Sequence, residues 1–146
     1  MTPQHGRALS RLLSMKSDAF KSAIEWEDAE ALTDALADDV VFRSPVVFRA
    51  YEGKPLVSII LTEGALNVFE DFRYTDRFEN GDAAALIFKA RVGDREVDGL
   101  DLLRFDGQGK VAELEVMVRP MSGLNALAEA MGREFERLGI TPPTGG

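Results

Sequence analysis

Leu102-Leu103-Arg104-Phe105-Asp106-Gly107-Gln108-Gly109-Lys110-Val111 reads as the end of one strand, a tight turn and the start of the next. Glycine reaches the backbone angles such turns need at no steric cost, and aspartate bonds its own nearby amides. Alternation runs outward from the turn in both directions. Val97, Gly99, Asp101, Leu103 and Phe105 share one face of the strand predicted over Glu96–Phe105. Leu114, Val116 and Val118 share one face of Val111–Arg119, opposite Glu113, Glu115, Met117 and Arg119. Two further turns, at Gly93-Asp94 and at the hairpin-type Asn80-Gly81-Asp82, delimit Ala83–Val92. Leu86, Phe88 and Ala90 occupy one face of that strand, with Lys89 and Arg91 on the other. Phe69–Phe78 alternates only in part. Four strands joined by short turns form an antiparallel meander.

Upstream the period changes to that of a helix. Leu9, Leu12, Leu13, Phe20, Ala23 and Ile24 define a first helix, and Asp28 caps a second with Ala31, Leu32, Ala35 and Leu36 inward. Asp38-Asp39 is expected to end it. Val40–Ser44 is β-branched and aromatic, a strand stopped by Pro45. Gly53-Lys54-Pro55 opens a third helix with Pro55 in its first turn. Ser122 is expected to cap a last helix, with Leu124, Leu127, Met131, Phe135 and Leu138 on one face. Helices beside one antiparallel sheet give an α+β domain. A meander of this length curls, and helices across its concave side enclose a cavity of the kind that binds small molecules. Residues 7–140 are expected to form the domain, and 1–6 and 141–146 flexible termini.

Composition narrows the chemistry. The 146 residues carry a net charge of −8 without a Lys/Arg cluster, which speaks against nucleic acid as a partner. No apolar run approaches the roughly 20 residues of a membrane span, and the N-terminus has no apolar signal core, so a cytoplasmic protein is expected. The absence of cysteine removes disulfides, thiolate catalysis and cysteine metal sites. His5 is the one histidine, which rules out a His-based triad or a His-ligated metal. No metal and no cofactor is expected.

Ala37-Asp38-Asp39-Val40-Val41-Phe42-Arg43-Ser44-Pro45, Tyr51-Glu52-Gly53-Lys54 and the strand–turn–strand quoted first, in this element order, resemble the nuclear transport factor 2-like superfamily in its SnoaL-like branch. The resemblance covers roughly residues 15–120. It implies a cone-shaped pocket and, often, a homodimer paired through the outer face of the sheet. Its members include polyketide cyclases, ketosteroid isomerases, epoxide hydrolases and dehydratases. The isomerase pattern wants a carboxylate base before the proline that ends the first strand, a tyrosine on the first helix, and a protonated carboxylic acid on a later strand. These positions carry Ser44, Phe20 and Asp101 here. Of the three, only the acid is kept, so the isomerase mechanism is disfavoured.

Asp101 is therefore the candidate catalytic residue. An aspartate among apolar neighbours has its pKa raised and can act as an acid; the alternative is a structural carboxyl held by an Arg or Ser. Phe20, Trp26, Phe42, Ser44, Phe88, Phe105, Val116 and Val118 are the candidate ligand-binding residues. Ser44 can instead satisfy a backbone amide beside Pro45, and Trp26 can instead fill the helix junction. The functional expectation is a pocket for a small, mostly apolar, oxygen-bearing ligand, with isomerase- or cyclase-type acid–base chemistry through Asp101. The alternative is a non-enzymatic dimeric interaction or assembly module whose cavity is filled by side chains.

Overall fold

The computed structural model describes residues 15–143; Leu9, Leu12, Leu13 and His5 lie outside them. Helices α1 (Asp18–Glu25) and α2 (Ala29–Ala35) lead into β1 (Leu36–Arg43) and a two-residue β2 (Tyr51–Glu52). Helix α3 (Lys54–Ile59) continues through a π-helical segment (Ile60–Ala65) into the short α4 (Leu66–Val68). Then come β3 (Glu70–Asn80), β4 (Ala83–Val92), β5 (Arg95–Phe105), β6 (Val111–Arg119) and the terminal α5 (Met121–Leu138). The fold is the α+β architecture the sequence predicts. One curved, unclosed six-stranded sheet in the order β2-β1-β6-β5-β4-β3 holds helices on its concave side.

The meander forms as its turns dictate. β3 to β6 pair antiparallel, Gly81 and Gly93 take the positive φ of their turns, and Leu86 stands opposite Asp101 across β4 and β5. β1 joins by parallel pairing to β6. Gly99 is demanded by packing: a Cβ there would lie 1.9 Å from Cζ of the Phe88 ring, which crosses over it.

Three local expectations change. The second helix stops at Ala35, and Leu36 opens a strand rather than continuing the helix. Leu36 pairs with Val111 and is fully buried, so sheet pairing outweighs local capping. Asp38 and Asp39 therefore sit inside β1, exposed at a register shift between Leu36 and Val41. The β1 strand also ends at Arg43, leaving Ser44 in the loop that follows. The last helix starts at Met121 with Pro120 in the cap position, and Ser122 makes no cap bond.

Helix α1 is fastened from a distance. Ser17 makes no cap bond of its own to the helix. Glu79 of β3 instead accepts hydrogen bonds from the Ser17 amide (2.8 Å), the Ser17 hydroxyl (2.5 Å) and the Lys16 amide (3.1 Å). Arg77 of the same strand reaches Asp18 at 2.5 Å. These bonds hold α1 over the open side of the sheet, which positions Phe20. Asp28 caps α2 as predicted, accepting from the Ala31 amide at 3.0 Å.

Candidate functional site

Between the curved sheet and its helices lies a cavity of about 410 Å³, in the range of small-molecule sites. Its walls are mainly apolar: Phe20 and Ile24 from α1, Ile60, Leu61 and Ala65 from the π-helical segment, and Leu127, Met131 and Phe135 from α5. The sheet contributes Phe42, Tyr51, Phe72, Phe88, Leu114 and Val116, and Phe69 comes from the chain just before β3. Two aromatic groups stand on this wall. Phe42 stacks on Tyr51 at 5.9 Å, with Phe135 edge-on to Tyr51 at 5.7 Å. Phe72 stacks on Phe88 at 4.6 Å, with Phe69 edge-on to Phe88 at 5.6 Å. Helix α5 thus closes one side of the cavity.

Among the described residues Asp101 is the one acid in the wall that is buried, at 6% exposure. Burial pushes its carboxyl up from 3.8 to about 7, although a hydrogen bond from Tyr74 acts to lower it. The Tyr74 hydroxyl donates to Oδ2 at 2.7 Å. Burial and the adjoining carboxyl push the Tyr74 phenol well above its ordinary 10.0. Near neutral pH the pair therefore holds two protons for much of the time: one on Tyr74 aimed at Oδ2, one on the carboxyl. Among the described residues Oδ1 has no hydrogen-bond partner, and no buried polar side-chain atom is left unsatisfied. A protonated Asp101 is then a hydrogen-bond donor to whatever occupies the cavity.

The structure brings Phe20, Phe42, Ser44, Phe88, Asp101 and Val116 together around the cavity, and leaves Trp26, Phe105 and Val118 off its wall. Trp26 is 81% exposed. Helix α1 ends one residue earlier and Glu27 turns the chain at φ 50°, so the indole lies along a surface groove bordered by Lys110 and Asp34. Phe105 is buried in the core beyond Leu103, and Val118 packs partly buried beside Phe88, Val97 and Leu127. Ser44 lines the cavity, yet its Oγ accepts from the amides of Val46 (3.2 Å) and Val47 (3.1 Å), which ties it to its own loop.

Tyr74 was missed in the sequence because β3 is bulged on both sides of it, between Glu70 and Arg73 and between Tyr74 and Asp76. Each bulge switches which face the next side chain takes. The short alternation Phe72–Tyr74 was the available signal. Asp98, on the opposite face from Asp101, bridges Lys89 (2.8 Å) and Arg119 (2.7 Å), which hold its carboxyl below the usual range. Arg91 likewise pairs with Glu70 and Asp71 on the surface. Among the described residues no group of three His, Asp or Glu side chains is placed to hold a metal.

Solved structures share this fold. A steroid delta-isomerase from Pseudomonas aeruginosa is 40% identical, with 94% of this chain and 96% of that one covered at a TM-score of 0.77. The chain belongs to the nuclear transport factor 2-like superfamily. A second superfamily-type relative, a cystatin-like-fold protein from Silicibacter pomeroyi, is 26% identical over 88% of this chain and 90% of that one, TM-score 0.81. A ketosteroid isomerase-like-fold protein from Catenulispora acidiphila, solved in complex with trimethylamine, shares the nuclear transport factor 2-like fold at 16% identity, TM-score 0.59, covering 78% and 92%. No protein-family model and no curated protein matches the chain. Among the described residues no helix is long and apolar enough to cross a membrane.

Proposed function

We propose that this chain binds a small, mostly apolar, oxygen-bearing molecule in its cone, with protonated Asp101 donating a hydrogen bond to the ligand oxygen. The observation that carries the reading is a buried carboxyl, held by Tyr74, in a mainly apolar cavity. The 40% identical relative is named a steroid delta-isomerase, which makes a steroid-like ketone the natural probe. The site has the acid half of such chemistry. The position for a carbon-acid base carries Ser44, whose hydroxyl serves its own loop, so binding outruns turnover. Androst-4-ene-3,17-dione should bind the wild type about 10-fold tighter than Asp101→Ala, the loss of one hydrogen bond between neutral groups. Equal affinity would sink the assignment. Isomerisation of androst-5-ene-3,17-dione should be slow and rise about 100-fold in Ser44→Asp, the lower end of general-base catalysis.

A second part of the reading is a homodimer through the outer face of the sheet. Phe78 is 62% and Met117 47% exposed there, beside Ile87, Leu100 and Leu102. An apolar face of this kind, rimmed by Lys89, Asp98 and Arg119, suits a self-complementary contact. Sedimentation equilibrium should give a dimer that Phe78→Asp dissociates; a wild-type monomer at micromolar concentration contradicts it. A reducing compartment such as the cytoplasm suits a chain without cysteine.

A further inference from the structure

The cavity is electrically one-sided. Four ionisable side chains with carboxyl groups line it, Glu25, Glu27, Asp71 and Asp101, and no lysine or arginine does among the described residues. The cations that pair with Glu25 and Asp71, namely Lys21 (2.8 Å) and Arg91 (2.9 Å), stand outside the cavity wall. Glu27 has no ion pair among the described residues, and the chain as a whole carries −8. The lining thus offers an anion no cationic partner among the described residues, whereas Glu27 and Asp101 are carboxyl groups without an ion-pair partner there to meet a cation.

Behind the mouth, the same wall carries ring faces. Aromatic faces hold negative charge density and attract ammonium groups within about 6 Å of the ring centre. Lys21 already shows this on the outer side, its Nζ standing 5.8 Å from the centre of the Tyr74 ring. Phe72 and Phe88 stack beside that ring and line the cavity. Asp101 stands at this aromatic group with one oxygen bonded to Tyr74 and the other without a partner among the described residues.

We propose that the cavity also takes a cationic ligand, a small apolar amine or quaternary ammonium group seated between Asp101 and the surrounding rings. The inference shares the cavity of the reading above but uses the other charge state of Asp101. A neutral ketone needs the protonated acid; an ammonium group needs the carboxylate. The two ligand classes therefore move the proton in opposite directions. Glu25, Glu27, Asp71 and Tyr51 are the other titratable groups of the lining, with Tyr74 bonded to Asp101 and Lys21 on the far side of the Tyr74 ring.

The test is isothermal titration calorimetry of the full chain at pH 7, in two buffers of different ionisation enthalpy. The probes are phenyltrimethylammonium, its neutral isostere tert-butylbenzene, and 2-decalone. A quaternary ammonium cannot titrate, so any exchanged proton belongs to the protein. The ammonium should bind about 10-fold tighter than the hydrocarbon and release about half a proton, because Asp101 is half-protonated near pH 7. Asp101→Asn should abolish the release and narrow the gap between the two affinities, the rings that remain holding the rest. Equal or weaker binding of the ammonium, or binding without proton release, overturns the inference. If 2-decalone then still binds with proton uptake, the proposed function stands without it; if neither binds, both fall.

Discussion

Asp101→Asn should make the protein more stable at pH 8 and leave it nearly unchanged at pH 4. Asparagine matches the shape of aspartate and keeps an oxygen to accept the Tyr74 hydroxyl. What it removes is titration. In the folded protein Asp101 keeps its proton up to about pH 7, against 3.8 for an unperturbed side chain. Between those values the folded state binds more protons than the unfolded one. Stability is thus full below about pH 4 and falls as pH rises through 7. At about 1.4 kcal/mol per unit, the fully buried carboxyl costs the wild type about 4 kcal/mol at pH 8. Asp18, Asp98 and Glu134, whose carboxyls are held low, contribute with the opposite sign, but in both proteins alike. Urea unfolding at half-unit steps from pH 4 to 8, followed by far-UV circular dichroism, reads the difference directly. Trp26 is too exposed to report on the core. A difference between the two proteins that does not change with pH, or an asparagine variant less stable at pH 8, would refute the reasoning.

Tyr74→Phe removes the hydrogen bond that lowers the Asp101 pKa, so the midpoint should move above 7 and the stability loss should extend to higher pH; carboxyl-detected NMR reads it. Glu79→Ala strips three acceptor contacts from the start of α1 and leaves the buried Ser17 hydroxyl without its partner. It should cost about 2 kcal/mol and lower Tm by about 4–8 °C in calorimetry. Gly99→Ala drives a methyl into the Phe88 ring and should cost about 2 kcal/mol. Gly132→Ala, inside α5 with nothing within 4 Å of the added carbon, should instead add up to about 1 kcal/mol. Denaturation of the pair side by side separates packing from helix propensity.

The meander was legible because its signals are local: each turn carries its own glycine, and β4 and β5 alternate without interruption on either side of Asp101. That alternation alone placed Asp101 inward and Asp98 outward. What escaped needed partners distant in sequence. Leu36 leaves the helix because Val111 is waiting for it in the sheet. Glu79 caps a helix 62 residues away. β2 has two residues, too short for any periodicity, and exists only because Phe42 and Val41 offer an edge. The acid of the site was therefore readable, whereas Tyr74, which holds it, was hidden by the bulges of β3. Trp26 was misplaced for a related reason: helical spacing fixes a face only as far as the helix runs, and α1 ends at Glu25.

The central claim is that Asp101 works as a neutral acid inside the cavity. A ¹³C-NMR titration of the labelled Asp101 carboxyl, alone and saturated with androst-4-ene-3,17-dione, tests it most directly. The account predicts a midpoint near 7 in the free protein and a higher one with the ketone bound, since the ligand oxygen stabilises the protonated form. A midpoint near that of a free aspartate, unmoved by the ketone, contradicts it.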